Sequence, residues 1–561
     1  MGEYWNQERL TEEWTARGLN RRDLMKLISA GAGSTALLTL MGASPNTASA
    51  QDGSPVAASG GQVNVLWNVP VTLNPLFSSS GNEQQIERLM FGALVKMSDD
   101  LVPTPDHAET IDVSEDGTVY TFTLKDELTF NDGTPLTSAD VIFTLERAIN
   151  PATGSIWQGR LSVIEGAADY DGSGAVSGLA ALDERTIEIT MAAPNGTFLV
   201  NFCGFAGLGI LPSHILGDVP PDQLREHEFS LAPTVTAGPF NFVQYATDQY
   251  LEVEKSETYP GAIGVDRIFL RILTPDVGFG QLETGELDLM ALPVAELERA
   301  QGLEGVSVVT IPSPSMDFLA VNLEREYFQN VDVRKAMMYA IDREGIVAAV
   351  LRGEGTVVNS SIFGPEWMGV PEGLDPYTYD PDMARSLLEG SGFDTNQEIS
   401  IMHLPGTPAK DAAVTIMQEQ LREVGFNIEI LQVDTAELLR RYIDETDFDL
   451  FYNAGGVFRA DPSISGTYFE TRNFTPAGGN GSHYSNPEVD ELFVLGSALT
   501  VQEERKAVYT QIAQILNAEL PWIFLWSPNS IYGFRDRLQS FQPPSYTDNK
   551  FWNAESWTVS E

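Results

Sequence analysis

At 561 residues, 43% hydrophobic and 10% aromatic, the chain is too long for one ordinary domain and too apolar for disorder, so two or three domains with a large buried core are expected. Lys and Arg number 33 against 79 Asp and Glu, a net charge of -46. Such a surface excludes nucleic acid and anionic lipid as partners, since both need basic patches; it suits a cationic or neutral ligand as readily as it serves solubility.

Taken in chain order, residues 1–50 read as an export segment. Asn20-Arg21-Arg22-Asp23-Leu24-Met25-Lys26 is a twin-arginine pattern, residues 27–41 are modestly apolar, and Ala48-Ser49-Ala50 has the small-x-small form of a cleavage site, placed after Ala50. The apolar stretch is short for a stable membrane span. No cysteine follows it, so a lipobox is absent. Residues 51–61 have the Gly, Ser and Pro content of a flexible linker.

Strand and helix patterns then alternate, which predicts an α/β fold. Strands are expected at 62–67, at 118–124 after the Asp116-Gly117 turn, and at 185–189, 267–272 and 426–430. Asn131-Asp132-Gly133-Thr134-Pro135 marks a turn, and Thr137 or Ser138 caps a helix through 139–147. Further helices are expected at 333–341, 381–389, 412–424 and 503–518, where apolar residues recur at helical spacing.

Enzyme and metal signatures are missing. There is no GxSxG elbow, P-loop or HExxH. His107, His214, His227, His403 and His483 are scattered, with no two at i,i+4. Cys203 is the single cysteine, which rules out an internal disulfide, a thiolate zinc site and a CxxC redox pair. No catalytic residue, metal or cofactor is expected.

From about Leu73 to Pro521 the sequence resembles the extracytoplasmic solute-binding proteins of ABC importers, family 5, the peptide- and nickel-type group. The resemblance rests on short blocks in a shared order. They are Leu73-Asn74-Pro75; Leu101-Val102-Pro103 with Ala108-Glu109; residues 114–125 and 130–141; Thr236-Ala237-Gly238-Pro239-Phe240; and Gly285-Glu286-Leu287-Asp288. Asn322, Val333-Arg334-Lys335-Ala336, Tyr339-Ala340-Ile341-Asp342-Arg343, Tyr379-Asp380-Pro381 and residues 484–490 continue the series. The resemblance implies a two-lobed periplasmic-binding-protein-like fold (type II, cluster C) with an extra subdomain in lobe I. Lobe I would take 62–85, 205–310 and 525–561, the extra subdomain 86–204, and lobe II 311–524. It also implies a monomer that captures a peptide or related small organic solute between its lobes and hands it to ABC permease subunits in the membrane, with no chemistry of its own. A nickel, metal-chelate or oligosaccharide receptor of the same fold is the alternative; a secreted hydrolase is a third reading.

The resemblance points to the loop before Asp461-Pro462 for the ligand. Peptide-binding members carry an acid there for the ligand's ammonium group, and here the matching residue is Phe458. Phe458 and Arg459 suit a sugar ring, an aromatic group or a carboxylate, and Asp461 is either a ligand contact or a turn residue. Trp67, Phe77, Trp157, Phe205, Met316 and Trp526 lie on segments that border the family cleft, where each is either ligand-facing or core.

Overall fold

The computed structural model describes residues 61–98, 101–203, 207–313, 315–362, 367–456, 461–544 and 549–560. The export segment and the cleavage site after Ala50 lie outside them. The predicted elements form where the periodicity put them, with ends shifted by a few residues: strands Gln62–Trp67, Val119–Leu124, Thr186–Thr190, Arg267–Ile272 and Asn427–Gln432, and helices Ser138–Ile149, Val331–Ala340, Pro381–Ser391, Pro408–Glu423 and Gln502–Glu519. The fold is α/β.

One mixed sheet of twelve strands runs through the described chain. At one end lie Asn427–Gln432, Glu398–His403, Leu450–Gly456 and Ser315–Val321; at the other lie Leu289–Ala291, Gln62–Trp67, Arg267–Ile272, Tyr250–Lys255 and Phe240–Ala246. Trp522–Arg535, a single strand of 14 residues, joins the two halves. Its first part pairs antiparallel with Ser315–Val321 and its last part with Val306–Pro312. Two antiparallel segments, 306–321 and 522–535, therefore cross between the halves. A separate antiparallel sheet of four strands is ordered Ala108–Val113, Val119–Leu124, Thr186–Thr190, Leu179–Ala181.

The crossing is marked by proline and serine. Pro312 pairs with Asn529, and Pro528 follows on the other strand from Ser527; proline removes the amide donor that would continue a regular ladder. Ser527 compensates: its hydroxyl lies 2.8 Å from the Ser315 carbonyl oxygen and 3.2 Å from that of Ser313, while the Ser313 amide donates to the Pro528 carbonyl at 3.3 Å.

The apolar core divides at the same place. One cluster packs around Val63, Leu89, Phe122, Phe130, Ile187, Phe240 and Trp557, and a second around Phe318, Met337, Ile401, Leu450, Tyr509 and Trp522. A small third cluster, including Phe279, Leu282 and Ile531, sits beside the crossing strands. Two large cores joined by two strands make this a two-lobed binding-protein fold.

Several sequence blocks prove to be scaffold. Gly285 ends helix Pro275–Thr284 at φ 83°, a left-handed turn that glycine adopts without a Cβ clash. Asp288 then takes Arg537 through both carboxylate oxygens, at 2.6 and 2.7 Å, and also accepts the Asn64 amide at 2.9 Å. Asp342 caps helix Arg343–Val350 by accepting from the Gly345 amide at 2.9 Å. The buried Arg343 guanidinium donates to the carbonyls of Val358 (2.9 Å), Phe524 (3.1 Å), Pro376 (2.6 Å) and Tyr377 (3.1 Å), and to Asn359 Oδ1 (2.9 Å). It ties two loops and the 522–535 strand to one side chain. Arg343→Met strands these carbonyls in the core and is expected to lower unfolding free energy by at least about 3 kcal/mol, measured by urea denaturation; a change below about 1 kcal/mol would contradict this role.

Candidate ligand-binding site

Strand register shows which ends of the two half-sheets confront each other. In lobe I, Ala291 pairs with Tyr532 and Leu289 with Phe534, so this strand and its parallel neighbours Gln62–Trp67 and Arg267–Ile272 run toward the crossing. In lobe II, Gly456 pairs with Ser315, the first strand residue past the crossing, and Glu398–His403 runs parallel to Leu450–Gly456. The carboxyl ends of the parallel strands thus face the crossing from both sides. Open α/β sheets place their ligands in the crevice at such ends. Lobe I ends there in Trp67, followed by the exposed Val69 and Val71; lobe II ends in His403, followed by the exposed Leu404.

On the lobe II rim, polar side chains of four adjacent strands share one face. Asp317 pairs with Trp526 on one side and with Ala454 on the other, Tyr452 lies two residues from Ala454, and His403 follows Met402, whose partner is Phe451. Asp317 is buried in an otherwise apolar strand. Its Oδ2 accepts from the Tyr452 hydroxyl at 2.6 Å and the Trp526 indole N–H at 3.1 Å. Burial pushes its carboxyl pKa up, against the opposing pull of the Tyr452 bond, the Lys410 charge and the Trp526 bond. Burial, and then the charge of Asp317, push the Tyr452 phenol well above its ordinary range. Burial lowers the His403 imidazole, against the Asp411 carboxylate 3.7 Å away; this favours the neutral ring at neutral pH.

The residues singled out in the sequence are placed as follows. Trp526 is buried and holds Asp317, and Met316, beside it, is fully buried in the lobe II core. Trp67 is buried against Phe551, with the Lys550 ammonium 4.4 Å above its ring. The Trp157 indole N–H donates to the Pro75 carbonyl at 2.8 Å, and Arg160 covers its ring; Phe77 is buried under Arg225. Phe205, Phe458 and Arg459 lie outside the described residues.

Asp461 is 1% exposed and its carboxylate is engaged within lobe II: Oδ1 accepts from Arg505 at 2.7 Å and from the Ser463 amide at 2.9 Å, capping the turn Pro462–Ser465. Arg505 also donates to the Gly496 carbonyl at 2.9 Å. Sequence reasoning did not single out Asp317, Tyr452 or His403. The available signal was one acid inside the apolar run Met316-Asp317-Phe318-Leu319-Ala320-Val321. Among the described residues no cluster of three or more His, Cys, Asp or Glu is placed to hold a metal ion.

The lobes also touch away from the crossing. The Gly196 amide, on the loop that follows the four-stranded sheet, donates to the Ser497 carbonyl of helix Pro487–Ala498 at 3.1 Å. A Cβ at Gly196 would lie 2.2 Å from the Leu499 carbonyl oxygen. Val102, Pro103 and Val200 face Trp367, Asp461 and Arg505 across a cavity of about 30 Å³ beside this contact. The buried Asp461–Arg505 pair thereby shapes the lobe II surface that Gly196 meets. Asp461→Asn leaves Arg505 buried without a counter-charge and is expected to cost about 3 kcal/mol of unfolding free energy. Adding Arg505→Met is expected to return part of the loss in a double-mutant cycle; strictly additive losses would refute the coupling.

A profile of the bacterial extracellular solute-binding proteins, family 5, matches residues 102–475. A putative ABC transporter peptide-binding protein of Brucella melitensis is 27% identical over 467 residues, spanning 81% of this chain and 85% of its own. The oligopeptide-binding protein AppA of Bacillus subtilis is 25% identical over 514 residues, 88% of this chain and 90% of its own. The structure of that AppA in complex with a nonapeptide superposes with a TM-score of 0.77 at 23% identity, covering 90% of this chain and 99% of that one. NikZ of Campylobacter jejuni, in complex with Ni(L-His), gives 0.75 at 23% identity, over 89% and 99%. Two lobes joined by crossing strands, strand ends converging on the crossing and a profile match over most of the chain agree: the protein belongs to the bacterial extracellular solute-binding proteins, family 5.

Proposed function

We propose that this protein is an exported receptor of an ABC importer that encloses a peptide or related small organic solute between its lobes and presents it to the permease. The observation that carries this reading is the crossing. Two antiparallel strands join two separate cores, and the carboxyl ends of both half-sheets face each other over it. A hinge beside Ser313, Ser315 and Ser527 lets the lobes rotate as units, and ligand that contacts both lobes favours the closed form. The peptides named for Brucella and Bacillus relatives support the solute class. Lobe I is assigned to 62–85, 205–310 and 525–561, with its extra subdomain at 86–204, and lobe II to 311–524. Phe458 and Arg459, on the segment after strand Leu450–Gly456, are assigned to the ligand, and Asp461 to positioning that segment. Trp67, Trp157, Met316 and Trp526, all buried, frame the cleft more than they touch the solute, and Phe205 stays a candidate ligand contact.

The protein acts outside the cytoplasm as a monomer, delivered through Arg21 and Arg22 of a twin-arginine signal and released after Ala50. Among the described residues no helix is long and apolar enough to cross a membrane, and without a lipobox no lipid is attached through cysteine. It binds its solute without transforming it.

Closure is measurable by small-angle X-ray scattering. A pool of tri- to pentapeptides is expected to bind and to reduce the radius of gyration of the full chain. Gly196→Val places a side chain against the Leu499 carbonyl and holds the lobes apart at a cost of about 1–3 kcal/mol, so affinity falls about tenfold. Binding with an unchanged radius contradicts lobe closure.

A further inference from the structure

The lobe II rim carries buried polar atoms that its own contacts leave unanswered. Asp317 Oδ1 and His403 Nε2 have no hydrogen-bond partner among the described residues, while His403 Nδ1 and Asp411 Oδ1 face each other at 3.7 Å. Asp317 is 4% exposed and His403 1%. A buried acceptor without a donor costs about 1–3 kcal/mol, and more when charged. Orphans of this kind gathered in one place therefore call for a partner that arrives from outside the chain.

The geometry narrows that partner. Asp317 stands two residues beyond Ser315, on the crossing strand itself. Its Oδ2 is filled by two neutral donors, Tyr452 and Trp526, which fix the carboxylate plane and leave Oδ1 as the free acceptor. Lys410 influences Asp317 through its charge, without reaching the free oxygen. A carboxylate with one oxygen pinned and one open gains most from an N–H-bearing cation, because charge-assisted hydrogen bonds are about twice as strong as neutral ones. The net charge of -46 raises the local concentration of cations at any cleft of the molecule. His403, whose Nδ1 faces Asp411 at 3.7 Å, offers its Nε2 to an uncharged amide or hydroxyl further along the same solute.

We infer that Asp317 is the specificity-determining acid of the cleft, taking an ammonium or guanidinium group of the bound solute on Oδ1. This rests on the receptor reading above and narrows its ligand class to cationic solutes. Tyr452 and Trp526 are positioning residues that orient the carboxylate, and closure of the lobes completes its desolvation.

The test offers the full chain a pool of tri- to pentapeptides, each present in two forms that differ by one positive charge: arginine against citrulline, and a free against an acetylated amino terminus. Retained peptides are counted by mass spectrometry after gel filtration. The wild-type chain is expected to retain the more cationic form of a pair about tenfold over its partner. Asp317→Asn keeps the side chain's size and its acceptor for Tyr452 and Trp526, and is expected to bring that ratio near one. If this variant does not fold, Tyr452→Phe decides: losing the bond that orients the carboxylate and favours its charged form is expected to lower the ratio, whereas an unchanged ratio overturns the assignment. A wild-type chain that retains both forms equally, or an Asn variant that keeps the wild-type ratio, overturns the role of Asp317 and leaves the receptor reading standing. A wild-type chain that retains no peptide overturns both.

Discussion

The antiparallel crossing of residues 306–321 with 522–535 is the constraint on which the rest of the structure depends. It is the one place where the two main cores share a sheet, and it breaks the regular ladder there. Pro312 and Pro528 withhold amide donors, and the Ser527 hydroxyl bridges the Ser313 and Ser315 carbonyls in their place. On its other side the same stretch, Trp526 to Pro528, pairs antiparallel with strand Gly355–Val357. Asn529 fastens the crossing to a third segment, donating from its amide to the Glu354 carbonyl at 3.1 Å and from its side chain to the Glu354 carboxylate at 2.9 Å. The result is two separately packed cores that meet at one irregular seam.

The same crossing decides where polarity is tolerated. Away from it, buried charges are answered within the chain: Asp288 by Arg537, Asp461 by Arg505, Arg343 by a ring of carbonyls. Next to it, Asp317 and His403 are not. Unpartnered buried side-chain atoms occur elsewhere too, at Thr153 and Asn241 among others; what distinguishes Asp317 is that it is an acid at the strand ends where the two halves meet. A rim of this kind selects by charge and donor pattern, and the exposed Val69 and Val71 of lobe I offer an apolar surface opposite.

Much of this fold was legible in the sequence because its signals are local. Val119–Leu124 and Thr186–Thr190 alternate as half-buried strands should, and Thr137 with Asp140, like Asp380 before Pro381, announces a helix start. The long strand Trp522–Arg535 was not legible as one element. Its 14 residues mix an apolar run with Ser527, Pro528 and Asn529, which read locally as a break and are in fact the seam. The candidate site was the least legible part. By position Asp461 reads as either a ligand contact or a turn residue; it caps the turn Pro462–Ser465 and is held by Arg505, 44 residues away in the chain. Asp317 is a single acid in an apolar run, and its partners Tyr452 and Trp526 come from 135 and 209 residues away. Which acids are satisfied and which are free depends on pairings that no sequence window contains.

The central claim is that this molecule captures a solute and releases it unchanged. Native mass spectrometry of the exported protein, followed by unfolding of the same sample, tests it most directly. One small solute per chain is expected in the native spectrum, recovered intact when the chain unfolds and rebound at the same stoichiometry on refolding. Recovery of a cleaved or otherwise altered molecule, or binding of several copies without a fixed ratio, would contradict it.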